Sequence, residues 1–208
     1  MHDRIQALPD VRLLFEELFF ERSLTPYISK SVISLPPDSI GIVCRGVVQL
    51  TTLQPNGNEV LLGLIGPSMP LGLPMTDINP YQATALTDVD MLWLSLPEIE
   101  SSPTLAAGLF RHMTLRVLQA ESWLALSGMR PVSERLRHLL TLLARQLGQP
   151  TGDDNAIRLS VRLTHEQLAN AIGTTRVTVT RLLNTFCEEG WLCVDRQRHM
   201  VISPEGLM

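Results

Sequence analysis

Short runs of alternating and continuous hydrophobic residues dominate the chain between residues 31 and 96. Turn-forming residues separate six such runs, which read SVISL, SIGIVC, GVVQLTTL, EVLLGLI, YQATAL and DMLWLSL. Pro55-Asn56-Gly57 lies between the third and the fourth run. Asn-Gly between two strands indicates a tight hairpin, because both residues tolerate positive φ. This spacing predicts an antiparallel sandwich or roll.

Helical periodicity replaces this pattern on both sides of the strand region. Apolar residues recur at helical spacing between Asp10 and Glu21, which predicts a short amphipathic helix. No proline occurs between Pro103 and Pro131, and the apolar residues there predict a helix of about 25 residues. Those residues are Leu105, Leu109, Met113, Val117, Ala120 and Leu124. Such a helix either packs on its own sheet or, as we favour, pairs with a second chain as a short coiled coil.

Arg130-Pro131 is predicted to end the long helix, because proline removes a backbone donor and disfavours helical geometry in the preceding residue. Ser133 is then predicted to cap a leucine-rich helix that ends at Gly148. Residues 149–156 have the polar character of a surface turn, and residues 157–163 that of a short strand. The predicted domains are therefore residues 1–96, the long helix in 97–129, and residues 130–208.

The segment from Leu163 to Phe186 contains two further helices around a glycine. Thr164 and Gln167 have the spacing of a capping box, so a helix is predicted to begin there. Gly173 supplies a tight turn, and the next helix is predicted to begin at Thr174 or Thr175. Two helices joined by a short turn that contains glycine match the helix-turn-helix motif.

The second of these helices has an apolar stripe and a cationic stripe. The apolar stripe is predicted to lie in the core, and the other stripe has two arginines, two β-branched residues and no acid. Arginine can donate two hydrogen bonds to guanine, methyl groups can contact thymine, and hydroxyl groups can bond phosphate. The alternative is a plain helical hairpin with a solvated arginine face. The predicted DNA contacts are Thr164, Thr175, Arg176, Val177, Thr178, Thr180 and Arg181.

The sequence after Gly190 predicts two strands around a polar turn, as in the wing of a winged helix. This turn contains Arg196 and Arg198, which either lie near DNA phosphates or are ordinary loop charges. The charge distribution agrees with a nucleic-acid partner for the second half. Residues 1–129 have 7 basic and 13 acidic side chains, whereas residues 130–208 have 10 basic side chains, all arginine, and 8 acidic ones.

Composition excludes several other classes of protein. With 45% hydrophobic and 18% charged residues in 208, the chain is predicted to be globular. Three cysteines without a CxxC pair support neither a disulfide framework nor a zinc site, and a reducing cytoplasm fits them. The apolar stretch 60–75 is interrupted by prolines and is shorter than the roughly 20 residues of a spanning helix, so no membrane association is predicted.

No pattern of an enzyme is present in the sequence. There is no GxSxG motif and no phosphate-binding loop, and His165-Glu166 lacks the second histidine of a zinc-protease helix. The sequence therefore predicts no catalytic residues and no metal. Cys44 is expected in a buried strand, and His112 is expected on the surface of the long helix.

The order of these parts resembles the cyclic-AMP receptor protein / fumarate-nitrate reduction regulator superfamily of bacterial transcription factors. Within it, Thr175 to Leu183, TRVTVTRLL, is similar to the recognition helix of the cyanobacterial global nitrogen-control regulators. The resemblance implies an α+β fold with an N-terminal antiparallel β-roll, which is a cupin-like sensor domain. A long dimerisation helix and a C-terminal winged helix-turn-helix would follow.

The resemblance further implies a cytoplasmic homodimer that regulates transcription at a palindromic site and responds to an effector. Because Val177 stands where the cyclic-AMP branch has a glutamate, half-sites of the GTA…TAC kind are expected. The implied partners are double-stranded DNA, a second copy of the chain and RNA polymerase. A protein co-regulator is a further partner that the resemblance allows. The alternative is an adaptor whose roll binds a ligand or protein and whose helix-turn-helix no longer binds DNA.

The resemblance places an effector site in the roll and on the long helix. The roll lacks the glutamate and the arginine that hold a cyclic nucleotide, so cyclic AMP is not expected to bind. Asn79 stands where the nitrogen-control branch has an arginine that clamps a carboxylate, so 2-oxoglutarate is expected to bind weakly or not at all. The implied effector residues are Leu71, Gly72, Leu73, Gln82, Arg116 and Glu121.

Arg116 and Glu121 are five residues apart, a rotation of about 140° around a helix. They are therefore predicted to serve different protomers of the dimer. They either form a structural ion pair, which we favour, or contact a small anion. It follows that DNA binding is expected to be constitutive, with control from expression level, a protein partner or another metabolite.

Overall fold

The computed structural model describes residues 22–152 and 156–203, so the helix predicted between Asp10 and Glu21 lies outside the described residues. The chain divides into two compact units, one containing residues 63–119 together with the chain up to Leu53, the other containing residues 54–62 and the chain from Ala120 onward. The domain boundaries proposed from the sequence stay predictions.

Eight strands between residues 22 and 95 form two four-stranded sheets, with the orders β1-β8-β3-β6 and β2-β7-β4-β5. They are β1 (Thr25–Tyr27), β2 (Val32–Ile33), β3 (Ser39–Arg45), β4 (Val48–Leu53), β5 (Glu59–Ile65), β6 (Pro70–Leu71), β7 (Gln82–Ala85) and β8 (Val89–Ser95). The antiparallel pair β3 and β8 runs from Ser39↔Ser95 to Val43↔Met91 and, after an irregularity, continues with Arg45↔Asp90. The predicted antiparallel β-roll is thus confirmed.

Alternate residues of β3 and β8 build the core of the roll. Ile40, Ile42, Leu92 and Leu94 form this cluster, and none is more than 5% exposed. Helix α1 (Leu96–Ser101) adds Ile99 to it, and helix α2 (Pro103–Ser127) adds Leu109. One face of the long helix therefore packs on its own sheet.

Helix α2 has the predicted length but differs from the sequence analysis in two details. It ends at Ser127, before the predicted end at Arg130-Pro131. His112 is buried rather than on the helix surface, because it falls on the same face as Leu105 and Leu109. Burial lowers the pKa of His112, and a hydrogen bond with the backbone of Ser68 opposes that effect. The expectation of a surface histidine was wrong.

The second unit combines three helices with a four-stranded sheet of order β11-β12-β10-β9. Its elements are α3 (Val132–Leu147), β9 (Gly148–Thr151), β10 (Ala156–Leu159), α4 (His165–Ile172), α5 (Arg176–Glu188), β11 (Leu192–Val194) and β12 (Met200–Ile202). Leucines of α3 and apolar residues of α4 and α5 fill its core. They include Leu136, Leu139, Leu140, Leu143, Leu168, Ala169, Val179, Leu183 and Phe186.

Two local predictions for this unit were wrong. Pro131, in extended geometry, occupies the N-cap position of α3, so Ser133 lies within the first turn instead of capping it. The polar stretch predicted as a turn begins with an edge strand, because Gly148 to Thr151 pairs antiparallel with β10. An edge strand can carry Pro150, since one of its sides needs no backbone donor.

None of the helices in residues 22–152 and 156–203 has the length and apolar character needed to cross a membrane.

Candidate nucleic-acid interface

The helix-turn-helix has the predicted capping at both of its helices. The Thr164 hydroxyl accepts a hydrogen bond from the Gln167 N–H at 3.1 Å, and the Gln167 side chain accepts one from the Thr164 N–H at 2.8 Å. Gly173 ends α4 in the left-handed region at φ 63° and ψ 51°. Thr175 then caps α5 by accepting from the Thr178 N–H at 3.2 Å. The capping box, the glycine turn and the start of the second helix are confirmed.

Helix α5 separates the two stripes that its sequence predicts. Val179 and Phe186 are at most 2% exposed, so the apolar stripe is fixed in the core. Val177 is 78% exposed, and Arg176 and Arg181 are exposed with it. A β-branched residue with that exposure, next to two exposed arginines, contributes little to the packing of the single chain. This outward face has the chemistry needed to contact base edges.

The hydroxyl groups of the four predicted DNA-contacting threonines already have partners in the chain. Thr164 and Thr175 cap helices, and the Thr178 hydroxyl lies 3.0 Å from that of Thr175. The Thr180 hydroxyl donates to the Arg176 carbonyl at 2.9 Å. These bonds hold the ends and the first turns of α4 and α5. Their contacts with DNA stay predictions.

His165 is a residue of this site that the sequence analysis did not select. Its Nδ1 lies 2.7 Å from the Thr180 hydroxyl and joins the first turn of α4 to the middle of α5. The Thr180 hydroxyl is also within hydrogen-bond distance of the Arg176 carbonyl, at 2.9 Å. His165 and Thr180 are 15 apart in sequence, and no local pattern indicates the contact.

The predicted wing consists of β11 and β12, and Asp195 organises the turn between them. Its Oδ1 accepts from the N–H groups of Gln197 and His199, both at 2.8 Å, and its Oδ2 accepts from Arg158 Nε at 2.6 Å. The hydrogen bond from Arg158 and those from the backbone hold the pKa of Asp195 below its ordinary value. Arg196 and Arg198 are exposed on this ordered turn.

The predicted effector residues fall into different environments. Leu71 is buried and pairs with Gly41 of β3, and an added Cβ at Gly72 would lie 2.9 Å from the Ser39 carbonyl oxygen. By contrast, Leu73, Gln82 and Glu121 are exposed. The structure therefore gives these residues no common polar lining.

Arg116 contacts the roll on the inner face of α2. It donates to the Gln119 side chain, whose Nε2 in turn donates to the Leu64 carbonyl at 2.8 Å. A Cβ at Gly63 would lie 3.0 Å from both Arg116 Nη1 and Gln119 Oε1, so glycine permits this close approach. The prediction that Arg116 pairs with Glu121 of a second protomer stays a prediction.

Tyr81 is a further partner of Arg116 that the sequence analysis did not select. The two side chains form a hydrogen bond. Burial raises the pKa of Tyr81 and lowers that of Arg116, and their mutual interaction opposes both shifts. Arg116 Nε is buried without a hydrogen-bond partner among the described residues. The positively charged Arg116 therefore has two uncharged partners in this cluster, Tyr81 and Gln119.

The cysteines and other metal ligands form no recognisable cluster in the described part of the chain. Cys44 is half-buried in β3, and burial raises its pKa to about 11. Cys187 and Cys193 are exposed. Within residues 22–152 and 156–203, no group of three or more His, Cys, Asp or Glu side chains could hold a metal ion.

Comparisons with known proteins agree with the order of these elements. Residues 134–208 match the Crp-like helix-turn-helix domain. The global nitrogen regulator of Synechocystis sp. is 28% identical over 197 residues, which cover 90% of this chain and 85% of the relative. The regulatory protein CysR of Synechococcus elongatus is 33% identical over 164 residues, covering 78% and 75% of the two chains.

A solved structure shows the same fold. It is a transcriptional regulator of the CRP/FNR family from Thermus thermophilus, with a TM-score of 0.71 and 23% sequence identity. The match covers 89% of this chain and 96% of that chain.

Proposed function

Because the chain belongs to the Crp/Fnr family of transcription regulators, we propose that it is a homodimer that reads a two-fold symmetric operator with its two α5 helices. One observation carries this proposal: the exposed, acid-free face of Arg176, Val177 and Arg181. Each arginine can form a bidentate contact with guanine O6 and N7, and the valine methyls can contact a thymine methyl. We also propose RNA polymerase as a partner, on the basis of family membership.

Half-sites of the GTA…TAC kind fit the side chains of this face. Val177 has no acceptor for the cytosine amino group, which a glutamate at this position would have. Its methyl groups instead favour thymine, and the neighbouring arginines favour guanine. These base types are both present in the proposed half-site.

The dimer is supported by a second apolar face on α2. Phe110, Val117 and Leu124 recur every seven residues and are 73%, 53% and 72% exposed. Met113 and Ala120 lie between them at the intermediate positions of the same seam, and both are exposed. Apolar residues that alternate every three and four positions form the seam of a parallel two-stranded coiled coil. We propose that this stripe, here called the α2 seam, pairs with that of a second copy.

Selection of duplexes from a library with random sequence tests the proposed function. We expect one symmetric sequence to be enriched, with half-site centres about 34–36 Å apart, because a two-fold protein presents its recognition helices with that separation. Affinity should fall steeply with salt as counterions are released from phosphates. Duplexes with one half-site are the matched control and should bind much more weakly. A monomer that binds single half-sites with a flat salt response would contradict the proposal.

We infer that DNA binding requires neither cyclic AMP nor 2-oxoglutarate. Two observations support this inference. The loop that would clamp a carboxylate has Asn79, which is exposed and uncharged. The guanidinium of Arg116 already contacts Tyr81 and Gln119 of its own chain.

Calorimetric titration with cyclic AMP and with 2-oxoglutarate is expected to give no saturable heat at micromolar concentrations. The variant Asn79→Arg should gain binding of 2-oxoglutarate, because an arginine restores a charge-assisted partner for one carboxylate. Asn79→Gln is the matched control, since it lengthens the side chain without adding charge. Micromolar binding of either ligand by the unmodified protein would contradict the inference.

A further inference from the structure

Arg137 of α3 lies against the C-terminal end of α5. Its guanidinium carbon is 4.2 Å from the centre of the Phe186 ring and 4.8 Å from that of Trp191. The two rings meet edge to face, with centres 5.2 Å apart and planes at 69°. The same guanidinium forms an ion pair with Glu189. Arginine suits this position because its planar group can stack on rings and pair with a carboxylate at the same time.

These contacts lie where α5 ends and the chain turns back toward β11, the first strand of the wing. Gly190, at φ 73°, donates to the Cys187 carbonyl at 3.1 Å, and Trp191 donates to the Phe186 carbonyl at 3.0 Å. This pair of bonds is a Schellman motif, which closes a helix and places the residue after the glycine against its last turn. Arg137 therefore holds the last turn of α5, the reversal and the start of β11 together. We call Arg137, Phe186, Glu189 and Trp191 the α5 clamp.

A second contact also holds this helix. It is the bond between His165 and Thr180, 2.7 Å long, near the middle of α5. Arg176 and Phe186 are ten residues apart, or about 15 Å along the helix axis. A tilt of about 10° over that length moves Arg176 by roughly 3 Å, whereas the distance window of a hydrogen bond is only about 0.5 Å wide. Fixing the C-terminal end of α5 therefore affects what the N-terminal end can contact.

We propose that Arg137 is a positioning residue for DNA recognition: through the α5 clamp it sets the angle at which Arg176, Val177 and Arg181 meet the base edges. This inference rests on the proposed DNA-reading role of α5. Arg137 itself belongs to α3 and contacts the closing turn of α5, not the outward face. It acts on sequence discrimination by fixing geometry rather than by adding a contact with the bases.

The test compares Arg137→Ala with the unmodified protein on two duplexes. One has symmetric GTA and TAC half-sites, and the other has the same base pairs in scrambled order. We expect affinity for the first duplex to fall about tenfold, as when a bidentate base contact is weakened in each half-site. Affinity for the scrambled duplex should change less than about twofold and the salt dependence should stay the same, because the phosphate contacts remain. The ratio of the two affinities does not depend on the fraction of folded protein, so a purely structural role would leave it unchanged.

Three further variants sharpen this test. Arg145→Ala removes an exposed arginine from the last turn of α3 and should leave the affinity ratio unchanged. Arg137→Lys keeps a cation beside Glu189 and should recover part of the ratio. Glu189→Gln weakens the α5 clamp from an exposed position and should lower the ratio by a few fold even if Arg137→Ala folds poorly.

Two results would contradict this inference without contradicting the proposed DNA-binding function. An unchanged ratio in both Arg137→Ala and Glu189→Gln would show that the α5 clamp does not set the angle. Equal losses on both duplexes with a weaker salt dependence would show that Arg137 contacts phosphate directly. If the unmodified protein fails to discriminate between any selected and scrambled duplexes, the proposed function falls and this inference with it.

Discussion

Replacing Val117 and Leu124 together by glutamate is expected to abolish dimerisation and to lower operator affinity by about a hundredfold or more, because the two half-sites are then no longer bound by one linked protein. Both side chains lie on the α2 seam and are more than half exposed in the single chain. Pairing would bury them, and a fully buried aliphatic side chain stabilises by about 1.5–3 kcal/mol. Glutamates from two protomers would instead repel each other across the seam. Sedimentation equilibrium measures the mass, and a gel shift on the symmetric duplex measures the affinity.

Ala125→Glu is the matched control for this double variant. It adds one negative charge per chain, half of what the double variant adds, at an exposed position next to Leu124 that is about 100° away around the helix and outside the α2 seam. The control should remain dimeric and should bind the operator as the unmodified protein does. A Val117→Glu/Leu124→Glu protein that still sediments as a dimer would show that the α2 seam is not the interface.

The helix-turn-helix was predictable because its signals are local. A capping box needs only Thr164 and Gln167, three residues apart, and the turn needs only Gly173 in the left-handed region. The division of α5 into a buried and an exposed stripe follows from a period of about 3.6 residues. In the roll, the runs of apolar residues likewise predicted the strands, since β3 and β8 are buried along most of their length.

The missed features depend on contacts between distant parts of the chain. Nothing near Thr180 indicates that its hydroxyl faces His165. Nothing near Arg137 indicates that the ring of Phe186, in the last turn of α5, and the ring of Trp191, just after that helix, stack on it. Strand β9 was missed because GQPT has no strand pattern and is held by its pairing with β10. The apolar period of α2 predicted a helix, but it did not show that His112 and Gln119 share the buried face with the leucines. Polar residues on a buried face need partners that only the fold reveals.

The contact between Tyr81 and Arg116 changes how the long helix is interpreted. Sequence reasoning gave Arg116 two alternatives, an ion pair across the dimer or a small anion. In the structure, Arg116 has neutral partners in its own chain, Tyr81 and Gln119, on the face of α2 that packs on the roll. The apolar α2 seam uses a different face of the same helix. A variant of the α2 seam therefore tests dimerisation without removing the contacts of Arg116.

Arg176→Ala and Arg181→Ala are each expected to cost about 1–3 kcal/mol of binding free energy in every half-site, because a bidentate bond to guanine could no longer form. Since a homodimer carries the change in both half-sites, the reduction in affinity on a symmetric duplex should exceed that from a single substitution. Base preference at the affected position should also relax. Both arginines are exposed and belong to the outward face, so their removal leaves the buried stripe of Val179, Leu183 and Phe186 unchanged.

Arg196→Ala and Arg198→Ala in the wing are the matched comparison, because they remove the same charge from an exposed turn. If these side chains bind phosphate, the variants should weaken binding to all sequences alike, and each should reduce the salt slope by about one unit per half-site, or about two units for the homodimer. Quantitative gel shifts on symmetric and scrambled duplexes, repeated at several salt concentrations, separate the two behaviours. Arg176→Ala should lower the ratio of affinities, whereas Arg196→Ala should lower both affinities and leave the ratio. If the α5 variants kept full sequence preference while the wing variants did not, the bases would be read by the wing, and the docking face assigned to α5 would be wrong.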